Sequence, residues 1–201
     1  MIDLTPLKKE FASAPLAILG LGQTGWAVYR SAMAAGIDAH VWDDSEDKRT
    51  AAQEKGLTLV DFAQTSIENY AALIPAPGIP LTHPRPHPAV TKAKEADLPV
   101  YGDVELLHKL NHGRPVIGIT GTNGKSTTTA LIGHILEQAG VSTATGGNLG
   151  RPVMDLDMPD EDGVFVLELS SYQLDLCQNF APDIAVWLNF SADHLDRHGD
   201  I

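Results

Sequence analysis

Apolar residues along this chain fall into two kinds of run. Short continuous apolar blocks alternate with longer stretches whose apolar positions recur at helical spacing. "LAILG" (16–20), "AHVWDD" (39–44), "YAALIPAPG" (70–78), "RPVIGITG" (114–121), "GVFVLEL" (163–169) and "DIAVWLN" (183–189) read as strands, buried where the apolar run is unbroken. A helix is expected from about Gly25 to Ala35, stopped by Gly36, and "LPVYGDVELLHKL" (98–110) predicts a short strand followed by a helix. After "RPVIGITG" comes a helix with Leu131, Ile132, Ile135, Leu136 and Ala139 in one apolar stripe, ended by Gly140. Strands that are apolar throughout are covered on both faces, which is the condition of a parallel sheet between helices. The fold class expected is therefore α/β: a Rossmann-like parallel-sheet N-terminal domain followed by a P-loop-type α/β central domain. The polar patch "LNHGRP" (110–115) marks the boundary, giving domains 1–112 and 113–201. "ADHLDRHGDI" offers no terminal helix or closing strand, so the second domain is expected to be truncated.

Two glycine-rich turns follow strands, and both can bind an anion. In "GLGQTGW" (20–26) the Gly-x-Gly-x-x-Gly spacing sets a tight turn with helix N–H groups open to phosphate. Asp43 lies 18 residues after Gly25, about where a dinucleotide-binding domain keeps its ribose-binding acid. On this turn alone an NAD-dependent oxidoreductase is an open reading. In "GITGTNGKSTTT" the segment Gly121, Thr122, Asn123, Gly124, Lys125, Ser126 and Thr127 sits between a strand and a strong helix, as a P-loop requires. Lys125 is placed to reach the β- and γ-phosphates of a nucleoside triphosphate and Ser126 to offer a hydroxyl to Mg²⁺. The strict pattern asks for glycine where Ile119 stands, and Gly118 and Gly121 flank that position. A second set of polar residues falls at strand ends, where open α/β sheets bind ligands: Gly147-Asn148, Glu168, Asn189, Asp193 and His194. Glu168 suits Mg²⁺, a hard cation that prefers oxygen, better than His194 does. His83 and His87 lie in the proline-rich loop 77–88, where no helical pair of ligands can form.

Composition narrows the setting. A formal net charge of −12 argues against a nucleic-acid partner, which needs a basic footprint. The single cysteine, Cys177, excludes an internal disulfide and is expected to pack as a small hydrophobe in a reducing, cytoplasmic compartment. No apolar run approaches the ~20 residues of a membrane span, and "MIDLTPLKKEF" lacks a signal core.

At "TGTNGKST", "GGNLG", "LELSSYQL" and "NFSADHLDRHGD" the chain resembles the Mur ligases of bacterial cell-wall (peptidoglycan) synthesis. "LELSSYQL" with "DHLDRH" is similar to the branch that adds D-glutamate to UDP-N-acetylmuramoyl-L-alanine, and the resemblance runs from "LAILGLGQTG" to the last residue. It implies an ATP- and Mg²⁺-dependent amide ligase working through an acyl phosphate, expected to be monomeric. It implies a first domain for the UDP substrate, a central one for ATP, and a third domain that this chain does not reach. It assigns Gly121 to Thr127 to ATP, Lys125, Glu168 and His194 to catalysis, and Ser126, Glu168 and His194 to metal. Gly22, Thr24, Asp43, Pro77, Gly78, Asn148, Ser171 and His194 fall to the UDP-muramoyl substrate. Relatives often carry Ser at Ala76 and Thr-Arg at Asp44-Ser45, so a UDP contact is expected to be lost or moved. The family's carbamylated lysine would lie beyond Ile201, and the 201-residue chain alone is expected to be inactive as a ligase. A sister Mur-type ligase or a polyglutamate-adding enzyme are the neighbouring readings.

Overall fold

The computed structural model describes residues 1–11, 14–111, 113–148 and 150–199. His112, at the expected boundary, and Ile201 lie outside the described residues. The chain divides into two compact units, Asp3–Asp103 and Met1–Ile2 with Val104–Ile201. Each holds a wholly parallel sheet.

In the first unit β1 (Leu16–Leu19), α1 (Gln23–Ala34), β2 (Ala39–Trp42), α2 (Glu46–Glu54), β3 (Ala72–Pro75) and α3 (Pro88–Glu95) follow in order. The sheet order is β2-β1-β3. The chain leaves β1 toward one neighbour and later returns to the other, so the "GLGQTG" turn sits at the switch point where such sheets open a crevice. Ala17, Leu19, Leu73, Ala89, Val90 and Ala93 pack with Phe62 and Tyr70 to close the core. The strand expected near residue 100 shrinks to one bridge between Leu73 and Val100.

The second unit contains α4 (Asp103–Leu110), which starts at the seam, then β4 (Val116–Thr120), α5 (Lys125–Gln138), β5 (Thr143–Gly147), β6 (Val164–Glu168), α6 (Ser171–Asp175), β7 (Ile184–Trp187) and α7 (Leu195–His198). Its order, β5-β6-β4-β7, again puts the loop after the first strand, β4, at the switch point. The seam falls one helix earlier than the 112/113 position read from the sequence. Glu105 gives the physical reason. It is buried, and its carboxylate accepts the backbone N–H groups of Gln178 (3.0 Å), Asn179 (3.1 Å) and Phe180 (3.2 Å) and the Asn179 side chain (3.0 Å). Its neighbours Leu106, Leu107 and Leu110 are fully buried as well.

Three readings of the pattern change. β7 is not a buried strand: it is an edge strand, with Ile184 55% and Trp187 70% exposed. The α5 stripe is displaced too. Thr129 and Gly133 are its buried positions, while Leu131 and Ile135 are exposed. A Cβ at Gly133 would collide with Thr145 of β5, so the closest approach of helix and strand occurs at a glycine rather than at the large residues. Finally, the tail carries a one-turn helix, α7, where none was expected. Among the described residues no helix is long and apolar enough to cross a membrane.

Candidate functional site

The loop between β4 and α5 is shaped by glycine. Gly121 and Gly124 hold φ of 141° and 86°, a region closed to most side chains, and Gly124 caps α5. The helix then begins with Lys125, whose ammonium folds back onto the loop carbonyls of Gly121 (2.6 Å) and Thr122 (3.0 Å). A cation held over the mouth of a helix N-terminus, itself electropositive, is a cradle for a polyanion.

Strand β7 supplies a brace that sequence reasoning missed. The Asn189 side-chain amide pairs with both backbone polar groups of Asn123, accepting its N–H at 2.9 Å and donating to its carbonyl at 2.9 Å. Thr122 N–H reaches the Asn189 carbonyl (3.3 Å), and the Thr122 hydroxyl accepts Ser191 N–H (3.0 Å). "IAVWLN" marked Asn189 as a polar strand end, but nothing in the sequence tells which backbone it meets.

These loops open on a cleft of about 340 Å³. Its lining includes Gly121, Thr122, Lys125, Asn148, Ser171, Asn189, Asp193 and His194, so eight of the residues singled out from sequence share one cavity. Ser126 and Thr127 are exposed on the first turn of α5 and do not line it. Glu168, at the end of β6, is buried, and its Oε1 accepts Asn148 Nδ2 at 3.0 Å. It does not cap α6; Ser170 and Gln173 do so through a reciprocal capping box. His194 takes φ 51° at the start of α7, and its ring lies 5.0 Å from that of Tyr172. Two further lining residues escaped the sequence reading. His198 hydrogen-bonds the Ser171 hydroxyl through Nε2 (2.9 Å), and Tyr172 packs against both histidines. Burial, with help from the Asp196 and Asp193 charges and against that of Arg197, raises the Tyr172 pKa and keeps the phenol protonated. Cys177 is half-buried, with Sγ donating to the Gln173 carbonyl (3.2 Å).

In the first unit the three glycines of "GLGQTG" divide the work. Gly20 has φ 96°, and a Cβ there would stand 2.7 Å from the Ala76 Cβ. A Cβ at Gly25 would overlap the Gly20 carbonyl oxygen. Both are required by the turn. Gly22, the residue before α1, faces open space, with Thr24 half-buried beside it. The contact at Ala76 brings the Ala76-Pro77-Gly78 turn against this loop, and Gly78 is exposed.

Asp43 is bound by donors of its own turn. Its Oδ2 accepts Leu21 N–H (2.6 Å) and Lys48 Nζ (3.1 Å), and its Oδ1 accepts Ser45 N–H (2.9 Å). Burial works to raise its pKa, but these donors outweigh burial and hold the carboxyl below the usual aspartate value. These three donors lock the turn. The neighbouring Asp44 carboxylate takes Nε2 of His87 (3.2 Å), whose Nδ1 accepts Ala89 N–H and caps α3. Arg49 stacks over Trp42 (4.8 Å) and donates to the carbonyls of Asp43 and Asp44. Among the described residues no cluster of three metal-binding side chains occurs.

Comparison with known proteins matches residues 14–102 to the Mur ligase MurD-like N-terminal domain and residues 119–201 to the Mur ligase middle domain. The UDP-N-acetylmuramoylalanine–D-glutamate ligase of Caulobacter sp. (strain K31) is 49% identical over 197 residues, which cover 95% of this chain and 42% of that protein. Its counterpart in Phenylobacterium zucineum (strain HLK1) is 46% identical over 195 residues, 94% of this chain and 42% of that protein. The chain thus spans less than half the length of these relatives. A crystal structure of the UDP-N-acetylmuramate:L-alanyl-gamma-D-glutamyl-meso-diaminopimelate ligase from Neisseria meningitides aligns with a TM-score of 0.56 at 22% identity, over 93% of this chain and 64% of that one. At that identity the likeness is one of fold.

Proposed function

The chain belongs to the Mur ligase family, and from that premise we propose that it carries the substrate- and ATP-binding portion of an ATP-dependent ligase adding D-glutamate to UDP-N-acetylmuramoyl-L-alanine during peptidoglycan precursor synthesis. The observation that supports this best is the phosphate loop, with Lys125 poised over its own carbonyls on the rim of a cleft that also holds Asn148, Ser171 and His194.

In this reading the first unit holds the UDP moiety, its diphosphate lying against Gly22, Thr24 and the Pro77-Gly78 turn. Asp43 supports that turn from behind through Leu21. The second unit holds ATP. Lys125 exchanges the Gly121 and Thr122 carbonyls for β- and γ-phosphate oxygens, a stronger, charge-assisted set of bonds. An oxygen of the precursor carboxylate bonds to the γ-phosphorus while the bond to the ADP oxygen breaks. The D-glutamate amine then attacks the acyl carbon, phosphate leaves, and the amine proton is released. Such chemistry rests on positioning and charge neutralisation more than on a protein nucleophile.

The residues fit Mg²⁺. The Glu168 carboxylate is buried with one oxygen on Asn148 and would hold the ion, with the Ser126 hydroxyl as a second hard donor. When bound, the ion neutralises phosphate charge. His194 is the poorer ligand and fits the muramoyl carboxylate side of the cleft better. The reaction needs ATP, which places the enzyme in the cytoplasm, and a monomer is expected by sedimentation.

Titration of the chain with Mg·ATP, the UDP-muramoyl precursor and NADH tests the reading. Mg·ATP and the precursor are expected to bind, and Lys125→Ala to weaken ATP by roughly thirtyfold, the worth of charge-assisted hydrogen bonds to phosphate. Tight NADH binding with no response to the precursor would overturn it in favour of an oxidoreductase.

A further inference from the structure

We infer that Asn189 is a positioning residue that sets the shape of the phosphate loop before the nucleotide arrives. The inference rests on the proposed ATP role of that loop. The loop runs from Gly121 to Gly124 between a strand and a helix, and its two glycines leave its peptides free to reorient. A cradle of N–H groups binds phosphate well only if those groups already converge, because ordering them at binding costs affinity. Something outside the loop must therefore hold it.

Asn189 has the geometry for that task. A primary amide presents one acceptor and one donor side by side, the complement of the N–H and C=O of a single residue, which belong to two successive peptide units. Asn189 uses both on Asn123, at 2.9 Å each, and its own carbonyl receives Thr122 N–H and Trp187 Nε1. The Thr122 hydroxyl is fastened to Ser191 on the same segment. β4 and β7 are neighbours in register, with Thr120 opposite Trp187, so the residues after each strand emerge side by side. The brace therefore joins the exits of two paired strands. Asn123 is exposed, and an exposed residue next to a glycine whose N–H and C=O are both held by one side chain is a specific arrangement rather than a packing accident. The same segment continues to His194, so loop shape and the position of His194 depend on one short stretch of chain.

The test uses the 201-residue chain and two readouts. In the unmodified protein without ligand, the Asn123 amide should exchange with solvent at least roughly tenfold more slowly than an unstructured amide, since it must break the bond to Asn189 first. Exchange at the unstructured rate overturns the inference, whatever any variant does. In Asn189→Ala, two neutral hydrogen bonds are lost, and ATP affinity, measured by displacement of a fluorescent ATP analogue, should fall by roughly tenfold or more. AMP, which lacks the β- and γ-phosphates, should lose threefold or less by the same rough measure. Equal losses for ATP and AMP mean a general structural role and overturn the inference. So does unchanged ATP affinity in a chain whose Lys125→Ala variant has lost it, and the ATP reading then stands. If the unmodified chain fails to bind ATP, it is the proposed function that falls. Should Asn189→Ala fail to fold, the amide-exchange measurement decides.

Discussion

Asp43 and Glu105 look alike in a sequence, each a carboxylate near an apolar run. Both are collectors of backbone N–H groups. For Asp43 the sequence reading named a uridine contact or a ribose acid; the structure gives it Leu21, Ser45 and Lys48. Spacing located it correctly at the end of β2 but could not say which way its oxygens turn, because that depends on a turn 22 residues away. Glu105 was not singled out at all, since its partners lie more than 70 residues downstream. By contrast, that Lys125, Asn148 and His194 share one cleft is legible, because the β4–α5 loop and the strand ends fix them locally, while Ser171 follows only from the resemblance. Glu105 also carries a pH prediction. Burial raises its pKa, but the N–H groups of Gln178, Asn179 and Phe180 outweigh burial, so the folded value lies below the ordinary 4.5. A depressed carboxylate contributes stability that is present above the unfolded pKa and lost as pH falls through the folded one. Urea unfolding of the second unit should therefore weaken from pH 5 downward. Glu105→Gln, which offers one acceptor and turns an NH₂ toward the remaining donors, should flatten that slope and cost roughly 2–4 kcal/mol at neutral pH. An unchanged acid limb in the variant would show that other carboxylates set the slope.

At the scale of elements, what the pattern revealed was the alternation; what it hid was exposure. β7 reads as apolar as β6, but among the described residues β6 lies between β5 and β4 while β7 has β4 on one side only. Neighbours, not composition, decide burial at a sheet edge. In α5 the large apolar residues and the contact face part company, because the helix approaches β5 through Gly133. The β1–α1 turn shows a similar division among residues of one type, and yields a paired prediction. Gly25→Ala puts a methyl group into the Gly20 carbonyl and should destabilise the first unit by roughly 2–4 kcal/mol, read as a lower thermal midpoint. Gly22→Ala meets open space, so the midpoint should move by less than about 1 kcal/mol equivalent, the cost or gain of a Gly→Ala change in compatible backbone. Its effect should instead fall on the precursor, with affinity lowered roughly tenfold as the added methyl stands where the diphosphate approaches. If both substitutions unfold the unit, or if Gly22→Ala binds the precursor normally, the diphosphate does not lie against this turn.

At the scale of the whole chain, two parallel sheets each place their first strand's exit loop at a switch point, and each loop is a glycine turn leading into a helix. The same device occurs twice with different fittings. The second loop has a lysine and an external brace from Asn189; the first has neither, and is held by Asp43 and by close contact with Ala76. A loop with a fixed cation is suited to the dense charge of a triphosphate, and one offering only N–H groups to the lower charge of a diphosphate diester. Ligand protection should therefore be unit-specific. A ligand at a hundred times its dissociation constant stabilises the state it binds by about 2.7 kcal/mol, which slows exchange of amides that open only by unfolding of that unit by about a hundredfold. Mg·ATP should protect core amides of β4 and β6, such as Ile119 and Val166, and leave those of β1 and β3, such as Ile18 and Leu73, unaltered. The UDP-muramoyl precursor alone should protect Ile18 and Leu73. Hydrogen exchange followed by mass spectrometry reads both in one experiment. Protection of β1 and β3 by ATP alone would reverse the assignment of the two loops, and protection of the same strands by NADH would return the first turn to a dinucleotide.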